Sequence, residues 1–363
     1  MNPNNLHKLV TFEENKTLPV YSWFYFKEGY SKNLIYWLKE KYELNGVVLD
    51  PFCGSGTTLL AGKELGLRGI GFDVLPVAVL ASKVKTRNYE VNELKKEFNK
   101  ITDLKIKETE VSFVDKKIRK LFYSKNLQEI VFYWNEIKKI KNEVARDFFF
   151  LALVSITGRA SNTIKAGGSL RKKKNRFVSV RKLFLKQVKK MIDDLREQKG
   201  KEPELFLQDA RYFELEKESI DSIITSPPYL NKIEYASVYK LELGLFFNQK
   251  TPLLKSFLGD DVKEVFPEFE KMPLIAQAYF NDMKKVLRNS FECLKKGGRM
   301  FIIVAGGCLP DRTIQSDEII GSLAEDEGFK LIEIITCREI GCMKNRTQLM
   351  GKVRESIIVL EKN

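Results

Sequence analysis

Two stretches of the chain carry residues whose types and spacing suit ligand chemistry. In the first, the apolar residues 47–49 predict a buried strand. A run of turn-forming and helix-starting residues follows, Asp50-Pro51-Phe52-Cys53-Gly54-Ser55-Gly56-Thr57-Thr58. Gly54 and Gly56 have no Cβ, so the backbone can turn sharply and approach a ligand closely. The free N–H groups and the positive dipole end of the helix that begins at Thr57 favour a nucleotide-like ligand.

The second stretch is Ser226-Pro227-Pro228-Tyr229, which follows a strand predicted over residues 219–224. Ligands of an open α/β sheet bind beyond the carboxyl ends of its strands, where this stretch is expected to lie. By itself, Pro-Pro-Tyr also suits a rigid turn that ends a strand. Its interpretation therefore depends on the first stretch.

The spacing of the glycines excludes two common nucleotide-binding patterns. A P-loop needs G-x-x-x-x-G-K-[ST], but the Gly62-Lys63 pair lies one residue too far from Gly56 and is followed by Glu64. A dinucleotide-binding G-x-G-x-x-G needs glycine at position 59, which is occupied by Leu59. A different nucleotide-like ligand is therefore expected.

The run from Asp50 to Thr58 resembles motif I of the S-adenosylmethionine-dependent amino-methyltransferases that modify cytosine N4 or adenine N6, and Ser226 to Tyr229 resembles their motif IV. The resemblance implies S-adenosylmethionine as the cofactor and a doubly wound, Rossmann-like class I methyltransferase sheet of the α/β class. It assigns cofactor binding to a set of residues in and after the first stretch, Asp50, Pro51, Phe52, Gly54, Ser55, Gly56, Thr57, Asp73 and Asp209. It assigns catalysis to Ser226, Pro227, Pro228 and Tyr229.

Two acidic residues at predicted strand ends complete the expected cofactor site. Asp73 ends the strand predicted over residues 68–72, roughly 20 positions after the glycine turn, where a carboxylate can accept from both hydroxyls of a ribose. Asp209 lies in the stretch 204–210, and its resemblance to motif III implies that it accepts from the adenine amino group. The aromatic segment 21–30 resembles motif X, which helps to cover the methionine end of the cofactor, and it also suits a helix packed on the core.

An exocyclic amine is a poor nucleophile because its lone pair is delocalised into the ring. A site that accepts hydrogen bonds from the amine protons restores nucleophilicity. Pro227 and Pro228 can hold a main-chain carbonyl toward the amine, while Ser226 adds a side-chain acceptor and Tyr229 a flat face for an extruded base. The sulfonium leaving group makes a titrating base unnecessary once the reactants are aligned.

The identity of residue 226 bears on which base is methylated. Serine at this position resembles the cytosine-N4 subgroup, whereas Asp or Asn is typical of the adenine-N6 subgroup, which remains an alternative. Methylation at carbon 5 of cytosine is disfavoured because it needs a nucleophilic cysteine after a proline, and the chain has no Pro-Cys pair. We therefore expect cytosine N4 as the target.

Residues 84–200 interrupt the alternation of strands and helices with apolar residues at helical spacing. Within this insertion, residues 161–190 contain eleven Lys and Arg and no Asp or Glu. Such a run can be a solvated face, but the lack of acids beside glycines favours contact with phosphates. The candidate contacts are Lys165, Arg171, Lys172, Lys173, Lys174 and Arg176.

The motif order predicts three parts: residues 1–83 with motifs X, I and II, residues 84–200 as a helical basic insertion for nucleic-acid recognition, and residues 201–363 with motifs III and IV. In the family, the recognition domain lies between motifs III and IV or after them, but here only 16 residues separate Asp209 from Ser226. DNA is the favoured substrate. Structured RNA such as ribosomal RNA is an alternative, and so is a non-catalytic nucleic-acid-binding protein on a methylase fold.

Composition bounds the partners and the compartment. The chain has 363 residues with 62 Lys and Arg against 48 Asp and Glu, and this net charge of +14 indicates a polyanionic partner. One histidine, His7, makes a zinc site improbable. Five irregularly spaced cysteines predict no disulfide framework and a reducing compartment, and no apolar run approaches about 18 residues. We expect a cytoplasmic protein without a membrane span.

Overall fold

The computed structural model describes residues 6–26, 29–166, 169–173, 177–195, 200–231, 235–247, 271–342 and 351–363. Two short 3₁₀ helices lie near the start, at Glu14–Lys16 and Tyr21–Trp23. The α-helices in chain order are α1 (Leu6–Leu9), α2 (Lys32–Tyr42), α3 (Thr57–Glu64), α4 (Pro76–Thr86), α5 (Val91–Thr102), α6 (Lys116–Arg119), α7 (Ser124–Lys138), α8 (Glu143–Ala160), α9 (Val180–Asp193), α10 (Tyr235–Val238), α11 (Lys240–Phe246), α12 (Leu274–Cys293) and α13 (Ser316–Asp326).

The strands form one large sheet and two small hairpins. In chain order they are β1 (Val47–Asp50), β2 (Arg68–Asp73), β3 (Thr163–Ala166), β4 (Ser169–Lys172), β5 (Glu204–Leu207), β6 (Ile220–Thr225), β7 (Leu294–Ala305), β8 (Gly307–Cys308), β9 (Thr313–Ile314), β10 (Phe329–Gly341) and β11 (Lys352–Lys362). The large sheet has the order β10-β11-β7-β6-β1-β2-β5, while β3 pairs with β4 and β8 with β9.

The direction of the strands brings the functional stretches to one edge of the sheet. Strands β7, β6, β1, β2 and β5 pair in parallel, whereas β11 runs antiparallel to both β7 and β10. From β1 the chain proceeds outward to β2 and β5, and it then returns to the other side of β1 as β6. The gap between β1 and β6 is therefore the topological switch point, where open α/β sheets bind ligands.

Helices cover both faces of the large sheet. On one face, Met283 and Leu287 of α12 belong to the same core as Ile302 of β7 and Ile358 of β11. On the other, Leu34 and Leu38 of α2 share a core with Phe301 and Ile357 from the same two strands. Because both faces are buried, β7 and β11 contain the apolar runs 300–305 and 357–360, and the architecture is the expected doubly wound α/β sheet.

The predicted insertion is mainly helical and shares its core with the parts beside it. Phe148 and Phe149 of α8 are fully buried. Their core also contains Trp23 from the N-terminal segment and Val77 of α4. The division expected at residue 83 falls inside α4, so the insertion and the cofactor half of the sheet are joined by one helix.

Some element boundaries differ from those expected. Within the insertion, residues 130–144 span the end of α7 and the start of α8, because the Asn142 side chain accepts from the Ala145 N–H and begins α8. The glycine-bearing basic stretch forms the β3–β4 hairpin, which the sequence did not indicate. The residues before the aromatic segment pack on the fold: Leu9 and Asn15 are buried, and Asn15 Nδ2 donates to the Tyr30 carbonyl at 2.8 Å.

The cysteines differ from the expectation of free thiols only. Cys308 and Cys342 form a disulfide with a Cα–Cα distance of 5.9 Å, while Cys53, Cys293 and Cys337 are free and buried. Irregular spacing did not reveal the pair, because β8 and the end of β10 meet only after the sheet has formed. Across the described ranges, no helix is both long and apolar enough to span a membrane.

We predict that the disulfide between Cys308 and Cys342 stabilises the folded protein. Cysteines 34 residues apart close a loop whose entropy is worth about 4 kcal/mol in the chain-entropy model. The double variant Cys308→Ser/Cys342→Ser should therefore melt several degrees below the oxidised wild type in differential scanning calorimetry. Dithiothreitol should lower the wild type to the same temperature and leave the variant unchanged. Equal melting of oxidised and reduced wild type would contradict the prediction.

Candidate cofactor and substrate cleft

A cleft opens beyond the carboxyl ends of β1, β2, β5 and β6, the position at which open α/β sheets bind ligands. Most residues expected to bind cofactor or substrate line it, namely Pro51, Phe52, Gly54, Ser55, Thr57, Asp73, Asp209, Ser226 and Pro228. Asp50, Gly56, Pro227 and Tyr229 do not. The fold thus gathers two stretches that lie about 170 residues apart.

The glycine turn has the tight backbone that its composition predicts. Gly54 and Gly56 adopt φ values of +51° and +80°, which residues other than glycine rarely adopt. A Cβ on Gly56 would lie 2.8 Å from Oγ of Ser82, so Gly56 serves the packing of the turn on α4. The Ser82 hydroxyl in turn donates to the Gly54 carbonyl at 2.9 Å. Gly54 therefore faces the cleft, while Gly56 lets α4 approach from behind.

Asp50 has a different place from the one expected, because its carboxylate is buried beneath the cleft with 1% of the residue exposed. One oxygen accepts from Thr225 Oγ1 at 2.7 Å and from the Phe52 N–H at 3.1 Å. The other accepts from Thr58 Oγ1 at 2.7 Å and from the Tyr30 hydroxyl at 3.1 Å. With its acceptor positions occupied by protein donors, Asp50 holds the site together and does not contact the ligand space.

Burial raises the pKa of Asp50 above its ordinary value, and the hydrogen bonds from Thr225, Thr58, the Phe52 N–H and Tyr30 oppose this rise. The Tyr30 hydroxyl also contacts the Thr58 hydroxyl, so the polar groups around the carboxylate form one closed network. Thr225 is the residue before Ser226, and Phe52 lies in the glycine turn. The network therefore couples the two functional stretches through one side chain.

Asp73 ends β2 with its carboxylate partly open to the cleft. One oxygen accepts from the Gly54 N–H at 2.9 Å and the other from the Leu75 N–H at 2.8 Å. An ionised carboxylate offers about four acceptor positions, so two remain for a ligand with paired hydroxyls. Burial raises the pKa of Asp73 to about 6, although the backbone N–H groups of Leu75, Gly54 and Val74 oppose the rise.

Asp209 lines the cleft just after β5, and much of its hydrogen-bonding capacity is already used. Arg211 binds it through Nε at 3.0 Å and Nη2 at 2.6 Å, and the Arg211 backbone N–H adds a bond of 2.9 Å. The same guanidinium reaches Asp282 of α12 at 3.1 Å. Arg211 thus fixes the orientation of Asp209, and little acceptor capacity remains for an adenine amino group.

The Ser-Pro-Pro-Tyr stretch divides into an exposed and a buried half. Ser226 and Pro228 line the cleft, whereas Tyr229 is only 3% exposed. The Tyr229 hydroxyl donates to Glu355 Oε1 of β11 at 2.9 Å and accepts from Ser226 Oγ at 3.4 Å. The flat face that we expected Tyr229 to offer to a base is therefore covered, because its ring packs in the core under the loop.

Aromatic residues from two distant segments close one side of the cleft. Phe26 and Tyr235 both line it, with ring centroids 6.0 Å apart and the rings nearly parallel. Phe26 also stacks on Tyr239 at 5.1 Å and lies directly over Gly54. The segment that resembles motif X thus covers the glycine turn and reaches the cleft through Phe26, Gly29 and Tyr30.

The expected phosphate-binding residues separate into two groups. Lys165 is engaged inside the protein: its Nζ lies 2.8 Å from Oε1 of buried Glu242 and 4.0 Å from the Tyr239 ring centroid. A buried carboxylate without a cation is strongly unfavourable, so Lys165 serves Glu242 and we withdraw it as a phosphate contact. Arg171, Lys172 and Lys173 are exposed on and after β4. Lys174 and Arg176 lie outside the described residues.

Several residues of the site were not found from the sequence. Gln208, Leu75 and Tyr235 line the cleft without belonging to a recognisable motif, and Thr225 and Glu355 act from behind it. Thr225 could have been identified from the sequence, since it directly precedes Ser226 at the end of a predicted buried strand. Glu355 had no local indication, because β11 becomes a neighbour of β7 only in the folded sheet.

Comparison with known proteins agrees with this geometry. A family model described as DNA methylase matches residues 28–84 and 220–363, more than half of the chain. The type II methyltransferase M.BsoBI of Geobacillus stearothermophilus is 25% identical, and the match covers 98% of this chain and 88% of that protein. The type II methyltransferase M.AvaI of a Nostoc species is also 25% identical, and the match covers 90% of this chain and 83% of that protein. The family match contains both functional stretches and omits most of the helical insertion.

Among solved structures, a SAM-dependent methyltransferase from Methanosarcina mazei aligns with 90% of this chain and 96% of its own length. The TM-score is 0.38 and the sequence identity 10%.

We predict that the affinity for S-adenosylmethionine decreases as the pH is lowered, because Asp73 becomes protonated. If the Asp73 carboxylate accepts hydrogen bonds from the ribose hydroxyls, only its ionised form binds the cofactor well. Burial raises the pKa of this carboxyl group to about 6. The dissociation constant of S-adenosylmethionine, measured by calorimetry, should be constant above pH 7. It should rise by up to about tenfold per pH unit below 6. Asp73→Asn should bind more weakly with little pH dependence, and a wild-type affinity that is constant from pH 5 to 7 would contradict the prediction.

Proposed function

This chain belongs to the DNA methylase family, and from that membership we propose that it transfers a methyl group from S-adenosylmethionine to the N4 amine of cytosine in DNA. The observation that carries the proposal is the placement of Ser226. Its side chain lines the same cleft as the glycine turn and Asp73, so a base amine beside Ser226 would lie next to the cofactor space.

The residues of the cleft fit S-adenosylmethionine. Gly54 and Ser55 present a close backbone surface, Asp73 has acceptor positions for the ribose, and Phe26 supplies an apolar wall. Leu75 and Gln208 complete the part of the cleft between β2 and β5. When bound, S-adenosylmethionine supplies an electrophilic methyl group on a sulfonium sulfur. With its acceptor positions largely used by Arg211, Asp209 would contribute at most one hydrogen bond to the adenine amino group.

The chain's own residues orient the amine and exclude competing reactions. Ser226 Oγ accepts a hydrogen bond from one N–H of the amine, and this hydrogen bond draws the nitrogen lone pair out of the ring. Buried Pro227 fixes the backbone before Pro228, so a main-chain carbonyl can accept the other proton. Gly54, Ser55 and Asp73 would hold S-adenosylmethionine, which would supply the methyl group to the oriented amine, and the surplus amine proton would pass to water. Alignment in the cleft supplies most of the acceleration in such a transfer.

The choice of cytosine N4 over adenine N6 rests on Ser226, which resembles the cytosine-N4 subgroup. DNA is supported as the substrate by the family and by the printed names of the type II relatives. A DNA substrate in turn favours the cytoplasm as the working compartment.

The β3–β4 hairpin is the surface that best suits the DNA backbone. Arg171, Lys172 and Lys173 are exposed within five described residues that contain no acid. Their side chains make no ion pair with the described part of the chain, unlike Lys165. Exposed guanidinium and ammonium groups on this hairpin suit phosphate contacts, which supply affinity and not sequence readout.

The proposal is tested by identifying the methylated nucleoside. Purified protein with isotope-labelled S-adenosylmethionine is offered unmodified DNA and unmodified ribosomal RNA in parallel, and each product is digested for mass analysis. We expect label in N4-methyldeoxycytidine, with Ser226→Ala reducing the rate at least about tenfold if one oriented hydrogen bond is lost. Label in N6-methyldeoxyadenosine would overturn the base assignment, and label in methylcytidine would overturn DNA as the substrate. Absence of transfer to every substrate would support a binding protein.

We predict that the hairpin supplies DNA affinity without affecting the cofactor. The triple variant Arg171→Ala/Lys172→Ala/Lys173→Ala should weaken DNA binding and reduce the slope of log K against log salt by up to about 3. The affinity for S-adenosylmethionine should be unchanged.

A matched control removes the same charge from α5, as Lys95→Ala/Lys96→Ala/Lys100→Ala. This variant should keep nearly the wild-type DNA affinity measured by fluorescence anisotropy. Equal losses in both triple variants would show that net charge, and not the hairpin, sets the affinity.

A further inference from the structure

We propose that Glu355 is a positioning residue that makes Ser226 a hydrogen-bond acceptor toward the substrate amine. The two residues are 129 positions apart in the chain and are linked by Tyr229. Ser226 Oγ donates to the Tyr229 hydroxyl at 3.4 Å, and that hydroxyl donates to Glu355 Oε1 at 2.9 Å. The inference rests on the proposed function, since it describes how the methylation site is polarised.

The sheet places Glu355 behind the catalytic loop. Glu355 lies on β11 opposite Ala305, the last residue of β7, and is 1% exposed. Its cross-strand neighbour on β10 is Arg338, whose Nε donates to Glu355 Oε2 and whose side chain is one-third exposed. One carboxylate oxygen is therefore committed to Arg338 and the other to Tyr229.

The chemistry of a carboxylate fixes the direction of this chain of hydrogen bonds. An ionised carboxylate can only accept hydrogen bonds, so the Tyr229 hydroxyl must be the donor in its hydrogen bond to Glu355. A lone pair of the Tyr229 hydroxyl then faces Ser226, and the Ser226 hydroxyl donates a hydrogen bond to it. The lone pairs of Ser226 are left for the cleft, where the donors are the protons of the base amine.

The Ser226–Tyr229 contact is the weaker link in this chain. At 3.4 Å it is longer than a strong hydroxyl–hydroxyl bond, which measures about 2.7–2.8 Å. Hydrogen bonds of catalytic groups are often long before substrate binds and shorten in the reacting complex. We expect the Ser226–Tyr229 bond to shorten when an amine donates to Ser226, because successive hydrogen bonds polarise one another.

The most informative change is Glu355→Gln, which keeps the shape of the side chain. Arg338 can only donate, so the amide would turn its oxygen to Arg338 and its NH₂ group to Tyr229. The hydroxyl of Tyr229 would then accept from residue 355 and donate to Ser226. The proton of Ser226 would point into the cleft against the amine protons, so the direction of the chain would be reversed.

The test compares single-turnover methyl transfer with binding, using the full-length protein and the DNA that the wild type labels. For Glu355→Gln we expect a transfer rate lower by about ten- to a hundredfold, the scale of one misdirected charge-assisted hydrogen bond. The dissociation constants for S-adenosylmethionine and DNA should stay within about twofold of the wild type. Tyr229→Phe removes the middle hydroxyl and should reduce the same rate constant. Glu361→Gln, on the same strand and paired with Arg299, is the matched control and should transfer at the wild-type rate.

The outcomes separate this inference from the proposed function. An active wild type with normal transfer by Glu355→Gln and Tyr229→Phe would overturn the relay alone. Rate losses explained entirely by weaker binding would also overturn it, because they would show a merely structural role. A wild type that transfers no methyl group to cytosine or adenine would overturn the proposed function, and the relay with it. If Glu355→Gln does not fold, Tyr229→Phe decides the question with the same measurements.

Discussion

The arrangement of the cleft depends on one buried carboxylate. Asp50 collects donors from the aromatic segment, the glycine turn, the start of α3 and the end of β6. A carboxylate buried to this degree is tolerated only while its hydrogen bonds are complete, because each lost donor leaves a costly charge in an apolar environment. The turn that would hold the cofactor and the strand that presents Ser226 therefore cannot shift independently.

Features that depend on local sequence were predictable. The glycine turn, the end of β2 at Asp73 and the position of Ser226 after β6 follow from short apolar runs that end in turn-forming residues. The doubly wound sheet followed from the order of these runs. Such features need only neighbouring residues and the rule that parallel strands bring their carboxyl ends together.

Features that depend on distant partners were not predictable. Lys165 lay in a basic run but is taken by Glu242, and Tyr229 lay in a catalytic motif but points its hydroxyl to Glu355. Cys308 and Cys342 are 34 residues apart in the chain, and the folded structure brings their Cα atoms within 5.9 Å. In each case, the residue type indicated a capacity, and the tertiary neighbour decided how that capacity is used.

The position of β11 has a consequence for how the protein matures during synthesis. Residues 352–362 are synthesised after both β7 and β10, yet they lie between these two strands in the sheet. Until they arrive, β7 has an open edge and β10 has no sheet partner, and such long-range strand pairing is slow. Because Glu355 is on this strand, the hydrogen bonds that link it to Ser226 through Tyr229 can form only after β11 has inserted.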